Sequence, residues 1–150
     1  MLLYRLGQQP HIASTARLGG LYSDGRWHEV GTPILYTSEH LSLAKLEVLA
    51  NAATLPRNYF LLTLEIADHA STQYLEVADL PLGWNGLPYR RETAQLARSW
   101  IQAGTHWLLR VPSIHSPNEY NCLLNPLHPD HAQLRIVSTE PHPFDARLKQ

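Results

Sequence analysis

The sequence is short of several things, and each shortage narrows what the chain can be. Cys122 is its one cysteine in 150 residues, so there is no internal disulfide framework. No apolar run approaches the ~20 residues of a membrane-spanning helix. The opening Met1-Leu2-Leu3-Tyr4-Arg5 has neither a charged leader nor a long apolar stretch, so no signal peptide is expected. Neither sign of charge dominates: 12 Lys+Arg stand against 13 Asp+Glu, without a basic run or a basic helix stripe, and direct nucleic-acid binding is not expected. There is no G-x-G-x-x-G, no Walker loop and no G-x-S-x-G, which removes Rossmann-type dinucleotide binding, P-loop chemistry and a nucleophile elbow. His128, Asp130 and His131 look ligand-like, but zinc needs more partners at recognisable spacing, so no metal is expected. What is left is one cytoplasmic domain over residues 1–150. At that length it buries roughly 70% of its unfolded surface and needs no staples.

The hydrophobic pattern predicts more strands than helices. Strands are expected at Leu2–Leu6, Ile34–Thr37, Tyr59–Ile66, Thr72–Val77, His106–Val111, Tyr120–Leu124 and Leu134–Ser138. A helix capped by Ser38 should run to about Ala53, with Pro56 beyond its end. It is apolar on most sides and is expected to be deeply packed. A second helix is expected at Arg91–Ala103, closed by Gly104. Strands and helices do not alternate, which argues for α+β in a single compact domain. Residues 7–33 read as a long loop with little apolar sequence to anchor it, a length usually tied to function or disorder. Residues 79–90 read as a second, turn-rich loop.

The stretch from Gly25 to Glu47 carries the chemistry. It places Arg26, Tyr36 and Glu47 on three consecutive short elements, which usually pack side by side. An arginine holds a phosphate bidentately. A tyrosine gives a flat surface for a ring. A carboxylate on an apolar helix can face developing positive charge. Together they suit a substrate with a diphosphate, a flat base and a labile sugar bond, of which NAD is one. Each residue also has a plainer reading: Arg26 as a loop ion pair with Asp24 or Glu29, Tyr36 as a core aromatic, Glu47 as a helix-surface residue beside Lys45. Further on, Ser113 follows a strand and could donate into a cleft or satisfy a turn. Asn121 and Asn125 should share a strand face with Leu123, where polar groups need partners. Cys122 is expected to be a small buried hydrophobe.

Tyr4-Arg5, Gly25-Arg26-Trp27, Gly31 to Tyr36, Ala44 to Glu47, and Val111-Pro112-Ser113 through Asn125-Pro126-Leu127-His128-Pro129-Asp130 occur in the order found in the RES-domain family. In this set the chain resembles that family over nearly its whole length. One departure is visible: Asp24 stands where the family often has a second glycine. The resemblance implies a fold similar to that of ADP-ribosyltransferase toxins. It also implies a bacterial type II toxin whose partner is an Xre-type antitoxin, in a hetero-complex or with homo-oligomers. NAD is the implied substrate, consumed by hydrolysis or phosphorolysis at the nicotinamide–ribose bond. ADP-ribosyl transfer to a protein, or a non-catalytic member that only binds nucleotide or antitoxin, stays open. By the same resemblance Glu47, Arg26 and Ser113 are the catalytic set, and Arg5, Arg26, Tyr36, Ser113 and Asn121 hold the dinucleotide.

Overall fold

A computed structural model of the chain describes residues 1–9, 12 and 23–149. Most of the first half of the predicted 7–33 loop therefore lies outside the described residues. Seven strands form one sheet: β1 (Leu2–Gln8), β2 (Leu35–Ser38), β3 (Tyr59–Glu65), β4 (Thr72–Tyr74), β5 (Leu108–Pro112), β6 (Tyr120–Leu124) and β7 (Arg135–Pro141). Their order is β4-β5-β6-β2-β1-β3-β7. Only β4 and β5 run parallel; every other pair is antiparallel. Two longer helices lie among the described residues, α1 (Leu41–Asn51) and α2 (Arg91–Ala103). The α+β expectation holds, and the strand positions agree with the sequence reading to within a few residues except at β4.

Alternation along the strands sorts the core into two sides. Leu108 is opposite Leu124, and Leu109 is opposite Leu123. The first pair joins Leu3, Leu62, Leu64 and Trp107 on one face. The second joins Trp27, Ile34, Trp84 and Trp100 on the other. Period-2 alternation across a register of paired residues requires this split. Helix α2 covers the second face with Thr93, Ala94, Ala97 and Trp100, a stripe at helical spacing. It ends on Gly104 in the left-handed region at φ 61°, whose N–H returns to the Trp100 carbonyl.

Three expectations need correction. Strand β4 stops at Tyr74, short of Val77, because the Asp79 carboxylate accepts the Glu76 N–H at 2.8 Å and turns the chain into a short 3-10 segment at Val77–Asp79. Ser38 does not cap α1. It is the last residue of β2, and His40 holds the cap position without a side-chain bond. Nor is α1 deeply packed: only Leu43 and Ala44 are buried. The side formed by Ala44, Glu47, Val48 and Asn51 lines a cleft. Glu47 and Asn51 make that side partly polar, and it forms a cavity wall. The C-terminal turn of α1 is completed from far along the chain, where the Lys149 ammonium donates to the carbonyls of Leu49, at 2.7 Å, and Ala52.

Candidate active site

The cleft has a volume of about 620 Å³ and opens where β5 and β2 end and β6 begins. Helix α1 forms one wall. Residues 25–28 and 85–89 form the other. All six residues singled out from the sequence line it: Arg5, Arg26, Tyr36, Glu47, Ser113 and Asn121.

The Glu47 carboxylate is held by side chains from β6 and from the turn that follows β5. Its Oε1 accepts from the Ser113 hydroxyl at 2.8 Å and from Asn121 Nδ2 at 2.7 Å. Its Oε2 lies 3.6 Å from His115 Nε2. Each donor is fixed in turn. Ser113 Oγ accepts from the backbone N–H groups of His115 and Ser116 at 3.1 and 3.3 Å, so the hydroxyl proton is directed at Glu47. Asn121 Oδ1 accepts from Ser38 Oγ at 2.6 Å, which settles which end of the amide faces the carboxylate. This is where the Ser38 hydroxyl goes instead of capping α1. The register makes the chain possible, since Ser38 is directly opposite Asn121, and Asn121 opposite Val111. The surface-glutamate reading of Glu47 is therefore ruled out by its partners. Asn125 is not part of the cluster: it is buried past the end of β6, where its N–H meets the Trp107 carbonyl at 2.9 Å.

Arg26 is held quite differently. Its Nη1 donates to the backbone carbonyls of Trp84 and Gly86, the second at 3.2 Å, and its guanidinium lies 5.0 Å from the centre of the Tyr89 ring. It pairs with neither of the acids expected on the plainer reading. Asp24 accepts the Val30 N–H at 2.8 Å and so closes the turn where the family often has glycine. Glu29 faces Arg91 and Arg98. Burial lowers the Arg26 pKa from its ordinary value, while Tyr89 and Glu47 push the other way. The segment around Arg26 is anchored more firmly than its composition suggested. Trp27 and His28 are buried, and the Arg26 carbonyl accepts from Thr93 Oγ1 at 2.6 Å.

Tyr36 has a partner that sequence reasoning missed. Its hydroxyl is 2.5 Å from His28 Nδ1, and His28 Nε2 is 2.6 Å from the Ser23 carbonyl. A carbonyl only accepts, so Nε2 carries the proton and Nδ1 accepts from the phenol. Burial lowers the His28 pKa and raises that of Tyr36 well above the ordinary phenol range, in keeping with a neutral pair. Gly25 makes room for this. A Cβ there would fall 2.4 Å from His28 Cε1, so the glycine serves the imidazole and not a backbone turn. Arg5 donates from Nη1 to the Tyr36 carbonyl at 2.9 Å, and its Nε is buried without an acceptor among the described residues. Burial lowers its pKa too, against an opposing effect of Tyr36. His115 and His28 each lie two residues beyond a residue already singled out, Ser113 and Arg26. Both segments are turns, where strand alternation does not apply, so no spacing in the sequence marks either histidine.

Elsewhere the expected minor roles are plain. Cys122 is buried, with its thiol pushed up to about 12 chiefly by burial. His128 Nδ1 accepts the Asp130 N–H, and His131 Nδ1 accepts from Trp107 Nε1 at 3.1 Å. No helix among the described residues is long and apolar enough to cross a membrane.

The family model described as RES domain matches residues 2–145. The chain belongs to the RES-domain family. Its curated RES relatives include a protein named "Prs ADP-ribosylating toxin" from a Sphingobium species, 34% identical over 134 residues, which are 87% of this chain and 83% of that one. They also include "Toxin Res" of Photorhabdus laumondii, 32% identical over 152 residues, or 99% of this chain and 97% of that protein. "Toxin Res" of Pseudomonas putida is 33% identical over 99% of both. In fold, this RES domain is similar to a chain in the crystal structure of the Mycobacterium tuberculosis MbcT–MbcA toxin–antitoxin complex. That match has a TM-score of 0.72 at 15% identity and covers 95% of this chain and 84% of that one.

Proposed function

We propose that this RES domain is the toxin of a type II toxin–antitoxin pair and that it cleaves the nicotinamide–ribose bond of NAD. The observation that carries the reading is the Glu47 carboxylate, oriented by Ser113 and Asn121 in one cleft with Arg5, Arg26 and Tyr36. Breaking that bond develops oxocarbenium-like charge on the ribose, as in glycoside cleavage. An ionised carboxylate already aimed at the site stabilises that charge without reorganising. With Oε1 taken by two donors, Oε2 is the oxygen left to meet the sugar. Arg26, with Arg5 behind it, would hold the diphosphate, so that binding far from the reacting bond orients it. Tyr36 would support the nicotinamide ring. Nicotinamide leaves as a neutral molecule and needs no strong general acid. Ser113 then acts as a strut for Glu47, its hydroxyl being committed on both sides. Water, phosphate or a protein side chain then takes the ribosyl carbon. The relative named as an ADP-ribosylating toxin supports a second reading, in which the acceptor is a protein.

The deciding experiment is incubation of purified protein with NAD and assay for free nicotinamide. Release by the wild type and its loss in Glu47→Gln are expected. An inactive, well-folded wild type would favour a non-catalytic member that only binds nucleotide or antitoxin. Expression alone should drain NAD from a bacterial cytoplasm, and an Xre-type antitoxin co-expressed with it should relieve the effect.

A further inference from the structure

We propose that residues 85–89 form an adenine-binding shelf, so that the cleft recognises the purine end of its dinucleotide as well as the bond it cuts. The inference rests on the reading above. In a dinucleotide the diphosphate lies between the two nucleosides. With Glu47 at the nicotinamide ribose and Arg26 at the diphosphate, the adenosine half continues past Arg26, away from Glu47. Beside Arg26 the cleft is lined by Asn85, Leu87 and Tyr89, whose ring centre is 5.0 Å from the guanidinium.

Their chemistry fits a purine. Leu87 is 78% exposed and Tyr89 42% exposed, an apolar leaf and an aromatic ring standing open at the rim. Large exposed apolar groups beside a cleft commonly mark a binding surface. Stacking of a base on such a ring is tolerant of its neighbours and substantial. Asn85 carries an amide whose donor and acceptor match the N6 and N7 edge of adenine.

The shelf is also preformed. Trp84 is buried against Trp27, with ring centres 6.2 Å apart. The Trp84 and Gly86 N–H groups close successive turns onto Pro81 and Gly83 at 3.0 and 3.1 Å. Gly83 has φ 77°, a conformation that glycine adopts without strain. Trp84 packs into the core ahead of the loop, and α2 begins at Arg91 just after it. A segment fixed at both ends loses little freedom when a base settles on it.

The test compares NAD with nicotinamide mononucleotide, which has the same scissile bond and one phosphate but lacks the adenylate. In Leu87→Ser and Tyr89→Ala the ratio of kcat/KM for NAD over the mononucleotide should fall about tenfold, as expected for one lost stacking contact. In Asn85→Ala the preference for NAD over its hypoxanthine analogue, which has oxygen in place of the 6-amino group, should disappear. AMP binding, followed by saturation-transfer NMR, should be present in the wild type and lost in Leu87→Ser, whether or not the protein turns NAD over. Equal loss on both substrates would mean that the loop only positions Arg26. That outcome, or AMP binding unaffected by the substitutions, overturns the shelf while leaving NAD cleavage intact. A wild type that binds AMP through Leu87 but releases no nicotinamide would instead overturn the cleavage reading and leave the shelf standing.

Discussion

Glu47 and Arg26 line the same cleft and are secured by different kinds of partner. Glu47 is held by side chains: a serine at the turn just past β5, an asparagine on β6 and, behind the asparagine, a second serine on β2. Arg26 rests on main-chain carbonyls of a surface loop and on an aromatic ring. In the proposed reaction the carboxylate needs one fixed orientation, because stabilisation of a fleeting charge depends on groups that do not have to move. The arginine rests on acceptors that an anionic ligand can replace, because phosphate oxygens accept the same N–H groups more strongly. On the proposed function, the first set of contacts is expected to stay and the second to exchange. That division can be tested by breaking each region separately.

The largest effect is expected at the fixed end. Glu47→Gln keeps the shape and removes the charge, and should lower kcat on the order of 10²-fold or more, with the melting temperature little changed. Rapid turnover by that variant, measured as nicotinamide release, would remove Glu47 from the reaction. Arg26→Lys should come next, weakening NAD affinity by about tenfold in calorimetry, since an ammonium cannot reproduce the planar fork on a diphosphate. An affinity equal to wild type would place Arg26 in the architecture of the loop alone. Gly25→Ala should then cost about 1–3 kcal/mol of stability in denaturant titration. The new methyl meets the His28 ring, which is buried and bonded at both nitrogens and cannot swing aside. No change would show that the imidazole is free to move.

The smallest effect is a pH dependence. The folded protein holds the His28 pKa below its ordinary value of about 6.5. Below that pH the unfolded chain binds a proton that the folded chain refuses. Stability therefore falls as pH drops from about 6.5 towards the lowered folded value, and is fully present above that window. His142, also lowered by burial, adds in the same direction. His28→Gln should reduce the slope without abolishing it, in denaturation midpoints taken from pH 7 to 5. An unaltered slope would assign the whole effect to His142 and other groups.

The contrast between the two regions also explains what could be read from the sequence. The strands at 59–65 and 120–124 and the helix at 91–103 were legible because period and turn chemistry agree locally. All six cleft residues could be named because the ordered motifs of the family carry them. The partners of Arg26 could not, since a backbone carbonyl leaves no mark in a sequence. The role of Ser38 was misread because a serine before an apolar helix is a good cap by local rules. Its true partner, Asn121, is 83 residues away and adjacent only because β6 lies between β5 and β2. Deep packing of α1 was expected because the helix is apolar on most sides, and apolar composition does not distinguish a packed face from a cavity wall.

That placement of β6 has a consequence in time. Strand β2 is paired with β6 along its whole length and with β1 at a single residue pair. A chain leaving the ribosome presents Arg5, Arg26, Tyr36 and Glu47 early, within its first third. It cannot orient the carboxylate until residues 108–124 have been made and β6 has inserted between β5 and β2. Pairings so distant in sequence form late and slowly. The nascent polypeptide thus lacks an oriented Glu47 for most of its own synthesis, and the complete cleft appears only near the end.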